Sequence, residues 1–530
     1  MIRFTILSVM VFLPGNLLMA LIILALAYHL SFHLLCNLFN KSFCSGLLPS
    51  DWKNAHIIPV HTKGPKHNKE NYRQISLTSI ISKTAEKIVK SRVFSFWTEH
   101  QLLNPNQFGY LEGRSTMSQL LSCYDDRCVS RNSSKACDVI FLDLSKASDS
   151  VPHERLPLKL NRYGIDGQLH LWFRNFLTNR KQRVLIRGTF SEWSPVISSV
   201  PQGSILGPIM FFIYVNDNIL NIITSTAKLF ADDTKIYWQI NNVQDSIALQ
   251  LDLTTLDLWA DHWQVKFNPT KCEIMRISHN RDKSSTRYQI SGTELRNVSH
   301  YKDLGVIMAS DLKWSKHVEH TVHKANKVLG LLKRTVGSKN KDIFSNLYKT
   351  LVRLILEYAC PVWSPHLAKD IYEIEKVQRR ASRMALNQRR QAMAYEERCK
   401  LLKWNSLVRR REFLCLVECY KIVFNLNGLN FSGYFELCRN TRMRSKHPCK
   451  IQTKLAKLNC YKHSFFGKII KSWNDLPSNV IDYRDRPNVK KLKLRLKNHM
   501  NIFWTDVLFL LMIFISNLSD FSHIFINQFL

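Results

Sequence analysis

The chain has 530 residues, of which 75 are Lys or Arg and 41 are Asp or Glu, so its formal net charge is +34. A chain of this length can bury large cores in two or three domains, and so large a basic excess indicates a polyanionic partner, most simply a nucleic acid. The 13 cysteines show no Cys-x-x-Cys spacing, which argues against a zinc module or a disulfide framework and favours a reducing compartment.

Both ends of the chain are apolar. In residues 4–28 the interruption Pro14-Gly15-Asn16 leaves an apolar run shorter than the ~20 residues that a membrane-spanning helix needs. Residues 507–515 form a second apolar run. A signal peptide or a membrane span is one interpretation. Because the cysteines follow no secretory pattern, we favour non-native sequence flanking a truncated protein.

Two helices and a buried strand are predicted before residue 145. Apolar residues recur at helical spacing from Ser79 to Phe96, at Ile80, Ile81, Ala85, Ile88, Val89 and Val93. A second helix is expected from Ser115 to Leu121, and a turn at 132–135. The short apolar run 139–142 then ends in Asp143, which is typical of a buried strand that delivers a carboxylate to its end. The alternative is that Asp143 is the N-cap of a following helix.

A turn is predicted in the middle of the chain. Residues 172–177 favour a helix and residues 182–184 a strand. The sequence Pro201-Gln202-Gly203 follows and predicts a turn in which glycine lets a second backbone approach closely. The apolar run 209–214 after it predicts a helix.

The segment Lys228–Tyr237 predicts a β-hairpin with Asp232 and Asp233 at its tip. Adjacent carboxylates at a tight turn repel each other unless a cation lies between them, and Mg²⁺ is commonly held by one or two carboxylates plus substrate phosphates. An Asp-Asp pair alone is usually a solvated turn. The order of Asp143, then the Pro-Gln-Gly turn, then the two aspartates is much more specific than any of its parts.

The rest of the chain is predicted to be mostly helical. One face of a helix is indicated by Ile247, Leu251, Leu258 and Trp259, and a strand by Glu273–Ile277. From about Asp311 onward the pattern is helical and basic, with clusters at 379–380, 389–390, 409–411 and 490–495. We interpret these clusters as faces that follow a phosphate backbone, the alternative being solvated charge.

Three stretches together resemble the reverse transcriptases of non-LTR (LINE-type) retrotransposons, close to the jockey-like group. They are Phe141–His153, Pro201–Ser204 and Phe230–Asp233, and the resemblance extends from about Leu34 to about Arg495. It implies an α+β right-hand polymerase, with fingers and a palm built on an antiparallel sheet, then a helical thumb and a basic helical C-terminal region. The expected divisions are an apolar segment 1–33, fingers and palm 34–310, thumb and basic region 311–500 and an apolar tail 501–530.

The resemblance implies an RNA-directed DNA polymerase that extends a DNA primer on an RNA template with dNTPs. Asp143 and Asp232 would hold two Mg²⁺ ions, which Mn²⁺ could replace, with Asp233 in support. This arrangement has ions ~3.5–4 Å apart. The segment 301–306 resembles the hairpin that grips the primer end.

Several further residues are implied to bind the nucleotide. Lys63 and Arg73 would hold its triphosphate, since a guanidinium can grip phosphate oxygens in two places. Gln202, with Gly203 beside it, would lie beneath the nascent base pair. Lys271 would lie near the leaving pyrophosphate as a general acid, the alternative being an ordinary lysine at a strand start.

At Ser148 the sequence departs from the family, which usually has an aromatic residue there that rejects a 2′-hydroxyl by steric clash. Gln74 departs similarly, because the family usually has proline. We therefore expect weakened sugar discrimination, or a decayed and inactive copy.

Other expectations concern partners and location. Related elements usually carry an endonuclease ahead of the polymerase, and nothing before Leu34 has room for one, so another protein would supply the nick in the target DNA. The implied location is the nucleus, with a cytoplasmic ribonucleoprotein stage. The alternatives are a catalytically decayed nucleic-acid-binding relic and, supported only by the apolar ends, a membrane protein.

Overall fold

The computed structural model describes residues 32–62, 64–145, 151–216, 222–278, 286–336, 340–388, 393–438, 449–481 and 486–503. Lys63, Ser148, the cluster 389–390 and both apolar ends lie outside the described residues. None of the helices in the described ranges combines the length and the hydropathy that crossing a bilayer requires.

Strands and helices are both numerous. The strands are β1 (Asn54–His61), β2 (Tyr72–Leu77), β3 (Ala136–Leu142), β4 (Arg180–Ile186), β5 (Thr189–Phe190), β6 (Ser194–Val196), β7 (Thr226–Phe230), β8 (Asp233–Ile240), β9 (Glu273–Ile277), β10 (Gln289–Ile290), β11 (Thr293–Glu294), β12 (Arg296–Asn297), β13 (His300–Asp303) and β14 (Val306–Ala309). The helices are α1 (Ile80–Glu99), α2 (Thr116–Asn132), α3 (Leu156–Arg162), α4 (Gly167–Leu177), α5 (Gly207–Val215), α6 (Val243–His262), α7 (Ser315–Thr335), α8 (Lys341–Leu347), α9 (Arg353–Glu357), α10 (Cys360–Trp363), α11 (Ala368–Ala385), α12 (Tyr395–Leu402), α13 (Leu407–Val423), α14 (Phe431–Tyr434), α15 (Asn459–Lys462), α16 (Phe465–Asn474) and α17 (Val489–His499). The predicted α+β class is confirmed.

The described residues divide into two compact units. The first comprises the chain up to Asn104, then Lys146–Asp217 and Trp263–Val265, and the second comprises the remainder. The predicted division near residue 310 concerns polymerase subdomains and stays a prediction.

The first unit is built on a mixed sheet. The strand order is β2-β1-β4-β5 with β6 beside β4, and β1 is antiparallel to β2 but parallel to β4. Buried Arg180 begins β4 and donates hydrogen bonds to the Phe176 and Trp52 carbonyl groups at 2.9 and 3.3 Å. The predicted helix at 172–177 and the strand at 182–184 are both present, as α4 and β4.

The first predicted helix is present as α1, but only part of its predicted apolar face is buried. Ile80 is 81% exposed, and Ile81 and Ile88 are also exposed. The buried positions are Ser82, Ala85, Glu86, Val89, Val93 and Trp97. Hydrophobic periodicity does not predict that the carboxylate of Glu86 lies on this buried face.

The second unit contains a five-stranded sheet in the order β12-β9-β3-β8-β7. The central strand β3 is antiparallel to β8 and β9, and six of its seven residues are buried. A strand covered on both faces reads as a continuous apolar run, which is why the sequence predicted it. Helix α2 is longer than the predicted 115–121 because its buried face includes polar residues such as Gln119 and Arg127.

The apolar face predicted for α6 is wrong at three of its four positions. Ile247, Leu251 and Leu258 are 56%, 65% and 66% exposed. The fourth predicted residue, Trp259, is buried, and its face also contains Leu249, Leu253, Leu256 and Ala260. Two apolar stripes run along this helix, and periodicity alone does not tell which of them meets the sheet.

The helices from α7 onward pack in the second unit and share one hydrophobic core with its sheet. The helical character predicted beyond Asp311 is confirmed. The expectation of an exposed basic face at 409–411 is wrong for two of the three residues, because Arg410 and Arg411 are 2% and 3% exposed. The Arg410 guanidinium forms a bidentate pair with the buried Glu357 carboxylate, and such pairing offsets the cost of burying a charge.

Candidate active site

Asp143 follows the last residue of β3 and is held by the segment that precedes β9. Its carbonyl oxygen accepts a hydrogen bond from the Asn268 N–H at 2.8 Å, and its own N–H donates to Cys272 Sγ at 3.4 Å. Leu144 then forms an antiparallel bridge with Phe267. The residue therefore ends a strand, as predicted, and no helix starts in the residues up to 145.

Strands β7 and β8 form the predicted hairpin. Phe230 pairs with Asp233 across the antiparallel strands, which leaves Ala231 and Asp232 as the turn. Ala231 has φ of +56°, in the left-handed region that residues other than glycine rarely adopt. Asp232 is therefore presented to solvent at the tip, and Asp233 begins β8.

The register of the sheet brings Asp143 beside Asp233. Leu142 pairs with Thr234 in the antiparallel ladder of β3 and β8. One further step along the ladder places Asp143 opposite Asp233, on the same face of the sheet. Residues 90 positions apart in the chain thus meet at one end of two neighbouring strands, where Asp232 joins them.

The negative charges of the neighbouring acids act on Asp233. The pKa of Asp233 is raised to about 6, first because protein atoms displace part of its solvation shell and then because of the negative charge of Asp232. Asp303 and Asp143 add to this rise, whereas the ammonium group of Lys235 opposes it. The site is thus one of concentrated negative charge.

This donor set suits a hard divalent cation, since a cation between carboxylates relieves their repulsion. Among the described residues, no group of three or more His, Cys, Asp or Glu side chains is already gathered so that it could hold a metal ion. The Asp143 carboxylate instead accepts a hydrogen bond from Lys271 Nζ at 2.9 Å. An ammonium group therefore provides the countercharge that a metal ion would supply at Asp143.

Gln107 and Gly109 support the turn that carries Asp232. The Oε1 atom of the buried Gln107 accepts hydrogen bonds from the Ala231 N–H at 3.0 Å and from the Gly109 N–H at 2.8 Å. A Cβ on Gly109 would lie 2.4 Å from Ala231 N. Sequence analysis missed this support, although an isolated glycine in an ordered segment is itself a signal of close backbone approach.

Tyr301 on β13 borders the acids. Its ring stacks on that of Phe141, with centroids 3.7 Å and planes 12° apart. Burial and then the charge of Asp233 raise the pKa of the Tyr301 hydroxyl. Because Phe141 lies two residues before Asp143, the stacked pair occupies the sheet face next to the carboxylates.

Arg73, Gln202 and Gly203 belong to the first unit. Arg73 is exposed on the edge strand β2. Gly203 has φ of +123°, and a Cβ there would lie 2.4 Å from the Ser76 carbonyl oxygen. The Ser76 N–H donates to the Gln202 carbonyl group at 2.6 Å. The close backbone approach predicted at Gly203 is therefore observed.

Glu86 of α1 fixes the residues that follow this turn. Its side chain is fully buried, and Oε2 accepts hydrogen bonds from the N–H groups of Ile205 and Leu206 at 2.7 and 3.1 Å. These amides lie at the start of α5, where a negative charge is favourable. The Pro-Gln-Gly turn is thus held on one side by β2 and on the other by α1.

Part of the chain matches a known protein family. Residues 64–322 match the family described as Reverse transcriptase (RNA-dependent DNA polymerase). Among curated proteins of Drosophila melanogaster, the chain is 26% identical over 375 residues to "Probable RNA-directed DNA polymerase from transposon BS" and 25% identical over 358 residues to "RNA-directed DNA polymerase from mobile element jockey". It is 26% identical over 355 residues to "Probable RNA-directed DNA polymerase from transposon X-element".

Each of these matches covers 65% of this chain but only 39–40% of the relative. The chain also resembles a solved structure titled "Structure of apo telomerase from Candida Tropicalis truncated from C-terminal domain". The TM-score is 0.34 and the identity 10%, and the match covers 52% of this chain and 58% of that one. The family match and the three relatives agree with each other and with the order of motifs along the chain. Residues 64–322 therefore form a reverse transcriptase domain related to those of the jockey, BS and X-element non-LTR retrotransposons.

Proposed function

We propose that the chain extends a DNA primer on an RNA template, using Asp143, Asp232 and Asp233 as its catalytic acids. The observation that carries the proposal is the antiparallel register of β3 and β8, because one step beyond the pair of Leu142 and Thr234 sets Asp143 opposite Asp233 beside the Asp232 turn. The reaction joins the primer 3′-oxygen to the α-phosphorus of a dNTP. The bond between the α-phosphorus and the oxygen that bridges to the β-phosphate breaks, pyrophosphate departs with that oxygen, and the hydroxyl proton passes to solvent.

The protein contributes alignment and charge rather than covalent chemistry. The three carboxylates would hold two divalent ions, Asp143 and Asp232 as the principal ligands and Asp233 in support. The chemistry supplied by two bound Mg²⁺ ions, or Mn²⁺ in their place, is activation of the primer hydroxyl and neutralisation of the leaving pyrophosphate. The hydrogen bond to Gln107 fixes the backbone at Ala231 and so limits the displacement of the Asp232 carboxylate.

Lys271 has two roles in this proposal. Its ammonium group donates a hydrogen bond of 2.9 Å to the Asp143 carboxylate and offsets part of its negative charge. Once released from that carboxylate, the same group is free to protonate the leaving pyrophosphate. Lys63 and Arg73 would hold the triphosphate, and Gln202 with Gly203 would support the nascent base pair.

The net charge of +34 supports binding of the template and primer along their phosphate backbones. Exposed basic residues of the second unit available for this include Arg380, Arg409, Lys490 and Lys491. The thumb and basic region 311–500 would provide this surface. We propose that the activity takes place in the nucleus, after a cytoplasmic ribonucleoprotein stage.

Primer extension with the purified chain tests the proposal. We expect Mg²⁺-dependent addition of dNTPs to a DNA primer annealed to RNA. Tight binding of the primer–template without extension would reject the polymerase and favour the decayed relic.

A parallel comparison of dNTP and rNTP incorporation by the wild type and Ser148→Phe tests discrimination between the two sugars, and we expect the phenylalanine to sharpen the preference for dNTPs. Identical selectivity in the two proteins would reject that expectation.

A further inference from the structure

In the second unit, a buried ion pair lies close to the catalytic acids, and its lysine is two residues along β8 from Asp233. Lys235 of β8 is 1% exposed and Asp303 of β13 is 3% exposed. Lys235 Nζ lies 2.5 Å from each of the two carboxylate oxygens of Asp303. The two residues are 68 positions apart in the chain, so the contact joins separate parts of the fold.

Stability does not explain such a pair. Removing two charges from water carries a large desolvation cost, and apolar residues of similar size in their place are often as stabilising or more so. Removing one partner alone is strongly destabilising, because the other charge remains buried. The role of the pair is therefore sought in the geometry that it fixes, namely the position of β13 against β8.

The sheet face on which the pair lies is that of the catalytic acids. Lys235 pairs with Phe141 across β3 and β8, one ladder step of two residues from the position where Asp143 meets Asp233. Because side chains alternate along a strand, Phe141 and Lys235 point to the same face as the acids.

The hairpin β13–β14 covers this row through two contacts. Asp303 binds Lys235, and Tyr301, which points to the same side of β13, stacks on Phe141. The turn after Asp303 is anchored as well, because the Leu304 carbonyl oxygen accepts a hydrogen bond from the Tyr358 hydroxyl at 2.9 Å. A stacked ring can slide, whereas a two-oxygen ion pair fixes distance and direction. The ion pair is therefore the contact that sets where the hairpin lies along the strands.

We propose that Lys235 and Asp303 are positioning residues that hold the β13–β14 hairpin, with Tyr301, at a fixed place beside Asp143, Asp232 and Asp233. The proposal rests on the proposed polymerase activity. The hairpin borders the acids, so its position limits how a nucleic-acid end can lie against them. Displacement of the hairpin would misplace the reacting end while leaving nucleic-acid binding over the rest of the surface unchanged.

The double variant Lys235→Met with Asp303→Leu separates positioning from stability. We expect its thermal unfolding midpoint and its affinity for primer–template to match the wild type, whereas its extension rate at saturating dNTP falls between about 10-fold and 100-fold. The matched control is Lys316→Met with Glu319→Leu, which removes an exposed ion pair of 3.6 Å in α7 and should change neither quantity.

The conservative variant Asp303→Glu keeps the charge but lengthens the side chain, so it should retain stability and slow extension to a smaller degree. If the double variant fails to fold, the extension rate of Asp303→Glu tests the inference in its place. Extension at the wild-type rate by a stable double variant, or by Asp303→Glu if only that variant folds, would overturn this inference and leave the proposed function intact. Absence of extension by the wild-type protein would instead overturn the proposed function on which the inference rests.

Discussion

Asp232→Asn is expected to reduce primer extension by roughly 1,000-fold or more, because it removes one of the charges that hold the divalent ions and their share of charge stabilisation in the transition state. The substitution is nearly isosteric and lies at an exposed turn, so folding should be unaffected. The measurement is the rate of single-nucleotide addition at saturating primer–template and dNTP.

Binding of primer–template provides the internal check on this variant. Its affinity should stay within a factor of about two of the wild type, since the phosphate contacts that dominate affinity lie elsewhere. Asp166→Asn, which also removes an exposed aspartate charge but in the first unit, should extend primers at the wild-type rate. Near-normal extension by Asp232→Asn would remove this residue from the catalytic set.

Gly109→Ala is expected to slow extension by about 100-fold through displacement of the catalytic turn. The added Cβ would lie 2.4 Å from the Ala231 backbone nitrogen and 3.2 Å from its Cα. A flexible side chain could move aside, but a backbone that is held by Gln107 and by the β7–β8 ladder cannot do so without moving Asp232. Overpacking of this kind typically costs about 1–3 kcal/mol of stability, which a chain of this size should tolerate.

The control for Gly109→Ala is Gly330→Ala in helix α7. A Cβ there has only Arg334 Nη1 within 4.0 Å, and alanine is the better helix former. This variant should keep full activity and equal or slightly higher stability. Normal extension by a stably folded Gly109→Ala would show that the turn position is not critical.

The sequence predicted the parts of the site that depend on local pattern. A fully buried strand has a distinctive apolar run, so β3 and the acid at its end were predictable. The β7–β8 hairpin was predictable because apolar residues flank two adjacent acids. The close approach at Gly203 followed from a Pro-Gln-Gly turn, and the structure supplies its partner, the Ser76 carbonyl group.

The parts that depend on long-range contacts were not predictable from one sequence. Gln107 meets Ala231 across 124 residues, and Lys271 meets Asp143 across 128. In the sequence Lys235 is one more polar residue in an alternating strand, and nothing local indicates that its ammonium group is buried against Asp303.

The two errors have a related cause. Helix α6 carries two apolar stripes, and the stripe with Ile247, Leu251 and Leu258 is the exposed one. The arginine cluster at 409–411 was interpreted as surface charge, yet Arg410 is buried against Glu357. In both cases the choice of face is made by tertiary packing, which neither periodicity nor a run of like charges encodes.

Metal-directed cleavage measures whether Asp143, which follows β3, and Asp232 of the β7–β8 turn bind the same metal ions. Fe²⁺ in place of Mg²⁺, with ascorbate and peroxide, generates radicals that cut the backbone next to the bound ion. We predict two cuts in the same molecule, near residues 143 and 232, both suppressed by excess Mg²⁺ and both lost in Asp143→Asn. Cleavage near only one of these positions, or cleavage that Mg²⁺ does not suppress, would contradict the account.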